Sequence, residues 1–309
     1  MDERAAALLI EQAFPNLKVD IITNAGEGDF CLAYTVNSAW LVRLARNAEA
    51  SRALHVESGL MPQLAPSLNL PVPVIERFAP YRDGLIAAAH RKLEGVPLSR
   101  ELCESLPPGQ KARAVRDLAL FLRSLHSTSH RVAREAGVPS CDYPFCRTES
   151  GITPGSAPEQ YGAALERLLS YPQIDRDTAQ FCNGVVRSLL RLDRDEPDAP
   201  ALVHGDLSVD HVLFDPEAGR IIGVIDFTDV VITDPALDLM YLYSAYGQGF
   251  LSDLLRHYAP ERSEHLMARV RLLYRWYAVL RLLWPLEHGY PEAAERRLTE
   301  LRALVQPGH

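Results

Sequence analysis

The stretch LVHGDLSVDHVLFDPEAGRIIGVIDFTD, residues 202–229, decides how this chain folds. It opens with a His-Gly-Asp turn that ends at Asp206, and His211 follows five residues later. Asp226 comes fifteen residues after His211, at the end of the β-branched run GVID. Two short strands flank the turn sequence DPEAGR. This strand–turn–strand unit is predicted to bring His211 and Asp226 together at its open end.

These three side chains have the properties that phosphoryl transfer to an alcohol requires. The reaction needs a carboxylate that accepts or orients the proton of the attacking hydroxyl, and ligands that hold Mg²⁺ against the phosphates. Asp206 suits the first role, and His211 with Asp226 suits the second. Each residue alone has an ordinary explanation, because Asp often closes a strand and a histidine before an apolar run is commonly a hydrogen-bonded structural residue. The prediction of phosphoryl transfer therefore rests on the three residues together and on their spacing.

The sequence that precedes this stretch is mostly strand-like up to about residue 90. Short runs of β-branched and aromatic residues, such as AWLVRLA (39–45), alternate with turn residues. Helical spacing occurs at the N-terminus and in one inserted segment. These patterns predict a small, mostly antiparallel sheet with one inserted helix. The predicted helices are 1–14 and 49–64, and the predicted strands lie within 17–44 and at 72–78 and 84–91.

Helical periods dominate the chain after Glu94. A segment rich in Pro, Gly and Ser at 137–158 interrupts them and is predicted to be a surface loop. The fold is therefore expected to be α+β, with a small β-rich N-terminal lobe (1–93) and a larger helical C-terminal lobe (94–309). The predicted helices are 109–127, 159–170, 175–193, 235–246, 249–258, 262–288 and 291–304, and the predicted strands are 211–214 and 221–226.

Composition and charge argue against several classes of protein. The 309 residues are 47% hydrophobic and carry a formal net charge of −8, whereas a nucleic-acid-binding protein needs a basic face. No stretch approaches the roughly 18 uninterrupted apolar residues that span a bilayer, and the N-terminal sequence lacks a signal-peptide pattern. The five cysteines show neither disulfide nor zinc spacing. We therefore expect a cytoplasmic protein without nucleic-acid or membrane partners.

The segments HGD, H, IDF and DPALD, in order from His204 to Asp238, resemble the Brenner-type motif of the aminoglycoside phosphotransferase family. Most kinase-like proteins have Asn where this chain has His211, whereas the aminoglycoside 2″-phosphotransferases and the macrolide 2′-phosphotransferases are similar to it in having His. The sequence GYPEAAERRLTELRAL (289–304) also resembles the ending of the 2″-enzymes. The resemblance implies a bilobal protein-kinase-like fold and an enzyme that transfers the γ-phosphate of ATP or GTP, with Mg²⁺, to a small-molecule hydroxyl.

The resemblance also implies a role for each residue of the central motif. Asp206 would be the catalytic base or the residue that orients the hydroxyl. His211 and Asp226 would be the magnesium ligands, and Mg²⁺ would rely mainly on Asp226 and the phosphates because it prefers oxygen ligands. Asp238 and His204 would support the catalytic loop.

A nucleotide site follows from the resemblance in the N-terminal part of the chain. Arg43 stands where the family has a phosphate-contacting lysine, and Glu57 would pair with it. Arginine keeps the positive charge but presents it on a planar fork. The segment AHRKLEG (89–95) would be the hinge that contacts the nucleobase, and its side chains leave ATP and GTP open as donors. The implied nucleotide-binding residues are Gly26, Gly28, Arg43, Glu57, Lys92 and Leu93.

The substrate residues implied by the resemblance are Asp229, Asp234 and Glu287. Aminoglycosides are polycations, so carboxylates near the reacting hydroxyl fit a cationic antibiotic. Asp229 is the best placed, because the 2″-enzymes have an aspartate there, whereas an Asp before Pro is usually a turn former. The stretch 241–249 is neutral and the helix 275–289 is aromatic, which keeps a macrolide open as the alternative substrate. A metabolite kinase stays open as well, and Arg43 motivates a nucleotide-binding pseudokinase.

Overall fold

The computed structural model describes residues 1–28, 30–148, 151–195 and 198–305, and the structural statements below concern these residues. The chain divides into two compact units. Each predicted lobe, 1–93 and 94–309, is one continuous segment of the chain, whereas each compact unit is built from three separate segments. The division into these two lobes therefore stays a prediction. The first unit consists of Met1–Ser140, Cys146–Thr153 and Ala201–Ile232, and the second of Cys141–Phe145, Pro154–Pro200 and Thr233–His309.

The N-terminal part of the first unit contains two helices and the five strands of one sheet. These elements are α1 (Glu3–Ala13), β1 (Ile22–Glu27), β2 (Cys31–Val36), β3 (Trp40–Ala45), α2 (Ala48–Leu64), β4 (Arg77–Pro80) and β5 (Ile86–Arg91). The sheet is antiparallel, with the strand order β1-β2-β3-β5-β4. The predicted antiparallel sheet with one inserted helix is therefore confirmed.

Alternation along β3 decides which residues enter the core and which face helix α2. Val42 and Leu44 are fully buried in a cluster with Ile10 of α1. Leu54 of α2 belongs to a second cluster on the opposite face of the sheet. Because successive side chains of a strand point to opposite faces, Arg43 emerges between the two apolar residues and on the side of α2.

The rest of the first unit carries the central motif. Strands β10 (Val212–Asp215) and β11 (Arg220–Val224) pair antiparallel, with Val212 opposite Val224, which confirms the predicted strand–turn–strand unit. In the turn, Asp215 Oδ1 accepts hydrogen bonds from the backbone N of Glu217 (2.9 Å) and of Ala218 (3.0 Å). The elements are β6 (Val96–Pro97), α3 (Arg100–Ser105), α4 (Pro108–His126), α5 (His130–Glu135), β7 (Arg147–Thr148), β8 (Gly151–Ile152), β9 (Ala201–Val203), β10 (Val212–Asp215) and β11 (Arg220–Val224).

The second unit is built from helices around an aromatic core. Trp276 is fully buried, its ring centroid lies 5.3 Å from that of Tyr161, and its Nε1 donates to Tyr143 Oη at 2.9 Å. Helix α8 (Ala236–Tyr258) breaks at Gly247, where φ is +83°, as the two predicted helices 235–246 and 249–258 require. The helices are α6 (Ala157–Leu169), α7 (Arg176–Asp195), α8 (Ala236–Tyr258), α9 (Ser263–Glu287) and α10 (Pro291–Val305), and the strand β12 is Val231–Thr233.

Two further sequence expectations meet the structure here. The segment 137–158, predicted as a surface loop, contains the short antiparallel hairpin β7–β8, and residues 149–150 of that segment lie outside the described residues. Within the part of the chain that the structure describes, none of the helices has both the length and the apolar character needed to cross a lipid bilayer.

Candidate active site

The turn after β9 places Asp206, and Gly205 makes its conformation possible. Gly205 has φ of +88°, a region that L residues rarely adopt. A Cβ at this position would lie 2.2 Å from the backbone oxygen of Asp229, so only glycine lets the two loops approach this closely. Asp206 itself keeps 38% of its side chain exposed. A group that accepts a proton from an incoming hydroxyl needs this access.

His204 ties the same turn to the end of β11. Its ring is fully buried. Because a carbonyl oxygen only accepts, Nε2 must donate to the backbone oxygen of Ile225 at 2.9 Å. The other ring nitrogen, Nδ1, then accepts from the backbone N of Asp206 at 3.3 Å. One neutral imidazole thus fixes both loops, which fits the supporting role expected for His204.

His211 is the last residue of a short 3₁₀ turn (Val209–His211) and faces Asp226. Its Nδ1 lies 2.6 Å from the backbone oxygen of Asp206, so Nδ1 carries the proton and donates it to that oxygen. This bond leaves the lone pair of Nε2 available, as in histidines that bind metals. Nε2 lies 3.7 Å from Oδ2 of Asp226. The two atoms are both acceptors in this tautomer, and a cation between them would satisfy both.

Asp226 is held in an unusual backbone conformation just after β11. Its φ is +65°, and such values in residues other than glycine are costly and concentrate at functional sites. The hydroxyl of Thr228 donates to Oδ1 at 2.6 Å. Burial acts to raise the pKa of the Asp226 carboxyl, but Arg43 and the Thr228 hydroxyl contribute to holding it below its usual value. Asp226 therefore stays ionised, as a metal ligand must.

His211 and Asp226 can supply two of the ligands of a Mg²⁺ ion. The described residues contain no group of three His, Cys, Asp or Glu side chains able to hold a metal ion. Magnesium commonly keeps several waters and takes one or two protein ligands together with substrate phosphates. The two side chains are thus compatible with a magnesium ion whose other ligands come from nucleotide and water.

Arg43 and Glu57 form a buried ion pair on the α2 face of the sheet. They are 6% and 0% exposed, and Arg43 Nη2 donates to Glu57 Oε1. Burial lowers the pKa of an arginine, but Glu57 and Asp226 outweigh it and raise the pKa of Arg43 above its ordinary value. Nη1 of Arg43 lies 3.7 Å from Oδ1 of Asp226. The predicted pair is present, and it adjoins the predicted metal ligand.

The other predicted nucleotide residues are Gly26 and Gly28, in the segment GEGDFCLAY (26–34) that by resemblance would be the flap over the phosphates, and Lys92 and Leu93 of the predicted hinge. A Cβ at Gly26 would meet nothing within 4 Å, and the backbone oxygen of Gly28 accepts from Arg46. Asp29 of the flap lies outside the described residues. The backbone N of Lys92 donates to Ala39 at 2.9 Å. Their contacts with a nucleotide stay predictions.

Leu93 continues the hinge and packs against β11. A Cβ on Gly223 would lie 2.9 Å from Cδ1 of Leu93, so the glycine makes room for this side chain. The side chain of Lys92 is bound at the surface by Glu94, with Nζ and Oε2 2.8 Å apart. Leu93 is thus an apolar residue beside the central hairpin, which suits contact with a nucleobase, and that contact also stays a prediction.

Asp229 lies close to the predicted catalytic residue and carries a perturbed carboxyl. Burial raises its pKa to about 6, against the lowering effect of Arg147, while Asp226 and Asp206 add to the rise. Nε of Arg147 lies 3.6 Å from Oδ1 of Asp229. Sequence reasoning missed Arg147, because an isolated arginine in a loop-like segment gives no local signal of what it will contact.

The remaining predicted residues belong to the second unit. Asp234 is buried, its Oδ1 accepts from the backbone N of Ala236 at 2.9 Å, and its Oδ2 accepts from Nε of Arg269 at 2.5 Å. Both oxygens therefore bind the protein itself. Glu287 forms an ion pair with Arg167 at 2.7 Å. Asp238 is fully buried in the first turn of α8, as a supporting residue would be.

Curated proteins with similar sequences match short parts of the chain. Protein YcbJ of Bacillus subtilis (strain 168) is 36% identical over 62 residues, 20% of each protein. Viomycin phosphotransferase of Streptomyces vinaceus is 39% identical over 71 residues, 22% of this chain and 25% of the relative. The matches thus span a quarter or less of each relative's length.

Solved structures match nearly the whole chain. The complex of APH(2″)-IIia with GDP and kanamycin has a TM-score of 0.87 at 23% identity, and the match covers 97% of this chain and 98% of the other. Macrolide 2′-phosphotransferase type I has a TM-score of 0.70 at 22% identity, with 97% and 96% covered. These likenesses confirm the predicted kinase-like fold. A sequence model of the phosphotransferase enzyme family, APH, matches residues 26–273, and the chain therefore belongs to that family.

Proposed function

We propose that this protein transfers the γ-phosphoryl group of ATP or GTP to a hydroxyl group of a small molecule, with an aminoglycoside antibiotic as the first candidate acceptor. The observation that carries the proposal is the convergence of Asp206, His211 and Asp226 at one end of the β10–β11 hairpin. Asp206 lies within 3.6 Å of His211, which in turn lies 3.7 Å from Asp226. This is the arrangement that phosphoryl transfer requires.

Asp206 accepts, or orients, the proton of the attacking hydroxyl. Its backbone is fixed on both sides, because its N donates to His204 and its O accepts from His211. A fixed backbone with an accessible carboxylate positions the acceptor hydroxyl for attack on phosphorus. Positioning is the main contribution that a protein makes to this reaction, since the transition state is loose and involves little covalent chemistry of the protein.

His211 and Asp226 would hold Mg²⁺. When bound, the ion would neutralise charge on the phosphates. Arg43 would contact the phosphates from the α2 side, since its guanidinium carries a permanent positive charge beside Asp226. The Nε atom of Arg43 and the Oε2 atom of Glu57 are buried without a hydrogen-bond partner among the described residues. A phosphate oxygen could accept from Nε of Arg43, whereas Oε2 of Glu57 needs a donor such as an ordered water.

Asp229 supports a cationic acceptor, because it is a second carboxylate beside Asp206. Its side chain is 22% exposed, so an ammonium group of an antibiotic can reach it. The complex of APH(2″)-IIia contains kanamycin, and a second relative is named for viomycin. We place the reaction in the cytoplasm, where the two nucleotides occur and where thiols such as the five cysteines stay reduced. The net charge of −8 supports a cationic small molecule over a nucleic acid as partner.

A macrolide is the second candidate acceptor, and Arg147 is the observation that favours it. Arg147 partly neutralises Asp229, so the region near Asp206 has less negative charge to offer a polycation. The segment 241–249 is also free of acidic residues. Macrolide 2′-phosphotransferase type I shares the fold. An acceptor with fewer positive charges would suit such a site.

The test is an assay of ADP or GDP release with ATP and GTP as donors and with kanamycin, further aminoglycosides and erythromycin as acceptors. We expect at least one acceptor to stimulate release, and we expect Asp206→Asn to lower kcat by about 10²- to 10⁴-fold, because it removes the proton acceptor. Nucleotide binding should persist in that variant. The matched control is Asp210→Asn, since Asp210 is an exposed aspartate four residues further along the chain, in the 3₁₀ turn Val209–His211. Tight nucleotide binding without release stimulated by any of these antibiotics would contradict the antibiotic acceptors and leave a metabolite kinase or a pseudokinase as the alternatives.

A further inference from the structure

Arg147 of strand β7 connects three separate parts of the first unit. Its Nη2 donates to the backbone oxygen of Thr228 at 2.6 Å, and its Nη1 donates to Oε1 of Glu49 at 3.4 Å. Its Nε faces Oδ1 of Asp229 at 3.6 Å, and its guanidinium carbon lies 6.0 Å from the ring centroid of Phe30. One side chain thus contacts the loop from Asp226 to Asp229, called the metal loop below because Asp226 is the predicted metal ligand, and the start of α2, and it faces the ring of Phe30.

The hairpin that carries Arg147 is fitted to this position. The side chain of Arg147 is only 12% exposed. On the opposite strand Gly151 has φ of +110°, and a Cβ there would lie 3.3 Å from Oε2 of Glu49. Glu49 is itself buried and is held from the other side by Arg52, whose Nε donates at 2.7 Å. The hairpin therefore closes around Glu49, and it fixes the direction in which Arg147 points.

We propose that Arg147 is a positioning and specificity-determining residue, which holds the loop from Asp226 to Asp229 against helix α2 and screens Asp229 from cationic acceptors. The proposal rests on the function proposed above for the same site. The hydroxyl of Thr228 donates to Asp226, and the backbone oxygen of Thr228 accepts from Arg147. Thr228 therefore connects Arg147 to Asp226, and Arg147 holds the backbone of the metal loop in place. An arginine fork suits this task, since its five donors reach several acceptors at once.

The second part of the proposal concerns charge. Arg52 and Arg147 supply two positive charges, and Glu49 and Asp229 supply two negative charges when both are ionised, so the group is balanced without a substrate. An ammonium group that approaches Asp229 meets a carboxylate already paired with Arg147 at 3.6 Å. Binding then requires the ammonium to compete with the guanidinium. The residue thus stabilises the loop and weakens the binding of cationic acceptors.

Two substitutions of Arg147 separate the two roles. Arg147→Met removes the bonds to Thr228 and the charge beside Asp229. We expect kcat with kanamycin to fall roughly 10- to 100-fold, as loss of a hydrogen bond from a charged group implies. We expect KM for kanamycin, measured at a pH at which Asp229 is ionised without Arg147, to fall about two- to fivefold, because the carboxylate is 22% exposed and no longer paired. Arg147→Lys keeps the charge but loses the fork, so kcat should fall similarly while KM stays within about twofold of the original value.

The matched control is Arg52→Met. Arg52 binds the same Glu49 but is 67% exposed, so kcat and KM should stay within about twofold. If Arg147 only stabilised the fold, its variants would have a lower melting temperature but unchanged kcat and KM. That outcome, or equal effects of the Arg52 and Arg147 variants, or a higher KM in Arg147→Met, would overturn the proposal.

A readout without an antibiotic distinguishes failure of this proposal from failure of the proposed function. Slow hydrolysis of ATP or GTP by water needs the metal loop but no acceptor. If no antibiotic stimulates nucleoside diphosphate release by the unaltered protein, the proposed function is wrong. The hydrolysis rates still test whether Arg147 positions the metal loop. We expect hydrolysis to fall about tenfold or more in both Arg147 variants and to stay within about twofold in Arg52→Met. Equal hydrolysis in all of these proteins would refute the positioning role.

Discussion

Adding one methyl group at Gly205 tests the geometry of the site directly. The Cβ of Gly205→Ala would lie 2.2 Å from the backbone oxygen and 2.9 Å from the backbone carbon of Asp229. Contacts of Cβ with other heavy atoms are essentially never below 3.0 Å, so the two loops must separate by about 1 Å. The neighbour is backbone, which cannot rotate away as the end of a long side chain can. The shift therefore reaches both Asp206 and the loop that carries Asp226.

Two costs add up in this variant. Alanine at φ of +88° costs about 1–2 kcal/mol in the folded state, and this cost lowers stability alone. A displacement of about 1 Å between reacting groups lowers the rate about 10²-fold, because phosphoryl transfer depends on alignment. We therefore expect kcat to fall about 100-fold, and the free energy of unfolding to fall by about 1–2 kcal/mol for the backbone conformation plus a further amount for the clash.

A matched variant isolates the clash from the backbone conformation. Gly84 has φ of +78°, and a Cβ there would meet nothing within 4 Å. Gly84→Ala should thus lose a similar amount of stability and keep kcat within about twofold. The two variants are compared by nucleoside diphosphate release at saturating acceptor and by urea unfolding. If Gly205→Ala retained kcat within about threefold of the original protein, the close approach of the two loops would have no catalytic importance, and the site described above would be wrong.

Two further variants test Glu57 and Asp234, two buried carboxylates that each pair with a buried arginine. Glu57→Gln leaves Arg43 as a buried charge without its main partner; we expect a loss of about 3 kcal/mol in urea unfolding and weaker binding in a nucleotide titration, and a loss below about 1 kcal/mol would contradict the ion pair. Asp234→Asn keeps an oxygen for the backbone N of Ala236 but removes the charge opposite Arg269; stability should fall by about 1–3 kcal/mol with KM for the acceptor unchanged, whereas a large rise in KM with intact stability would make Asp234 a substrate ligand.

The parts of the fold that sequence predicts are those fixed by local rules. Alternation in AWLVRLA (39–45) places Val42 and Leu44 in one core, and the same alternation turns Arg43 toward α2, where Glu57 lies. The turn DPEAGR closes β10 and β11 because Asp215 bonds the backbone of its own turn and Gly219 adopts a positive φ. Both signals act within a few residues. Local chemistry therefore suffices for them.

Arg147 and the partner of Asp234 show what sequence reasoning could not predict. Arg147 lies in a segment without period, and its contacts with Glu49 and Thr228 span 98 and 81 residues of chain. Such pairings depend on where the hairpin β7–β8 lands, which no local pattern specifies. Asp234 precedes a proline and reads as a turn former, yet Arg269, 35 residues later, occupies one of its oxygens. In both cases the deciding partner is remote in sequence and close in space.

Arg43 is the departure from the family pattern that raised the possibility of a protein without catalysis, and its surroundings argue for a working site. One nitrogen of the guanidinium binds Glu57 and another faces Asp226 at 3.7 Å, so a single residue links helix α2 to the metal loop through separate atoms. A lysine has one nitrogen for both tasks. The three charges sum to −1 when both carboxylates are ionised, and Asp206 adds a further negative charge nearby. A divalent cation next to Asp226 would offset this negative charge and the charge of the phosphates, so the cluster suits a site that binds a metal ion together with a nucleotide.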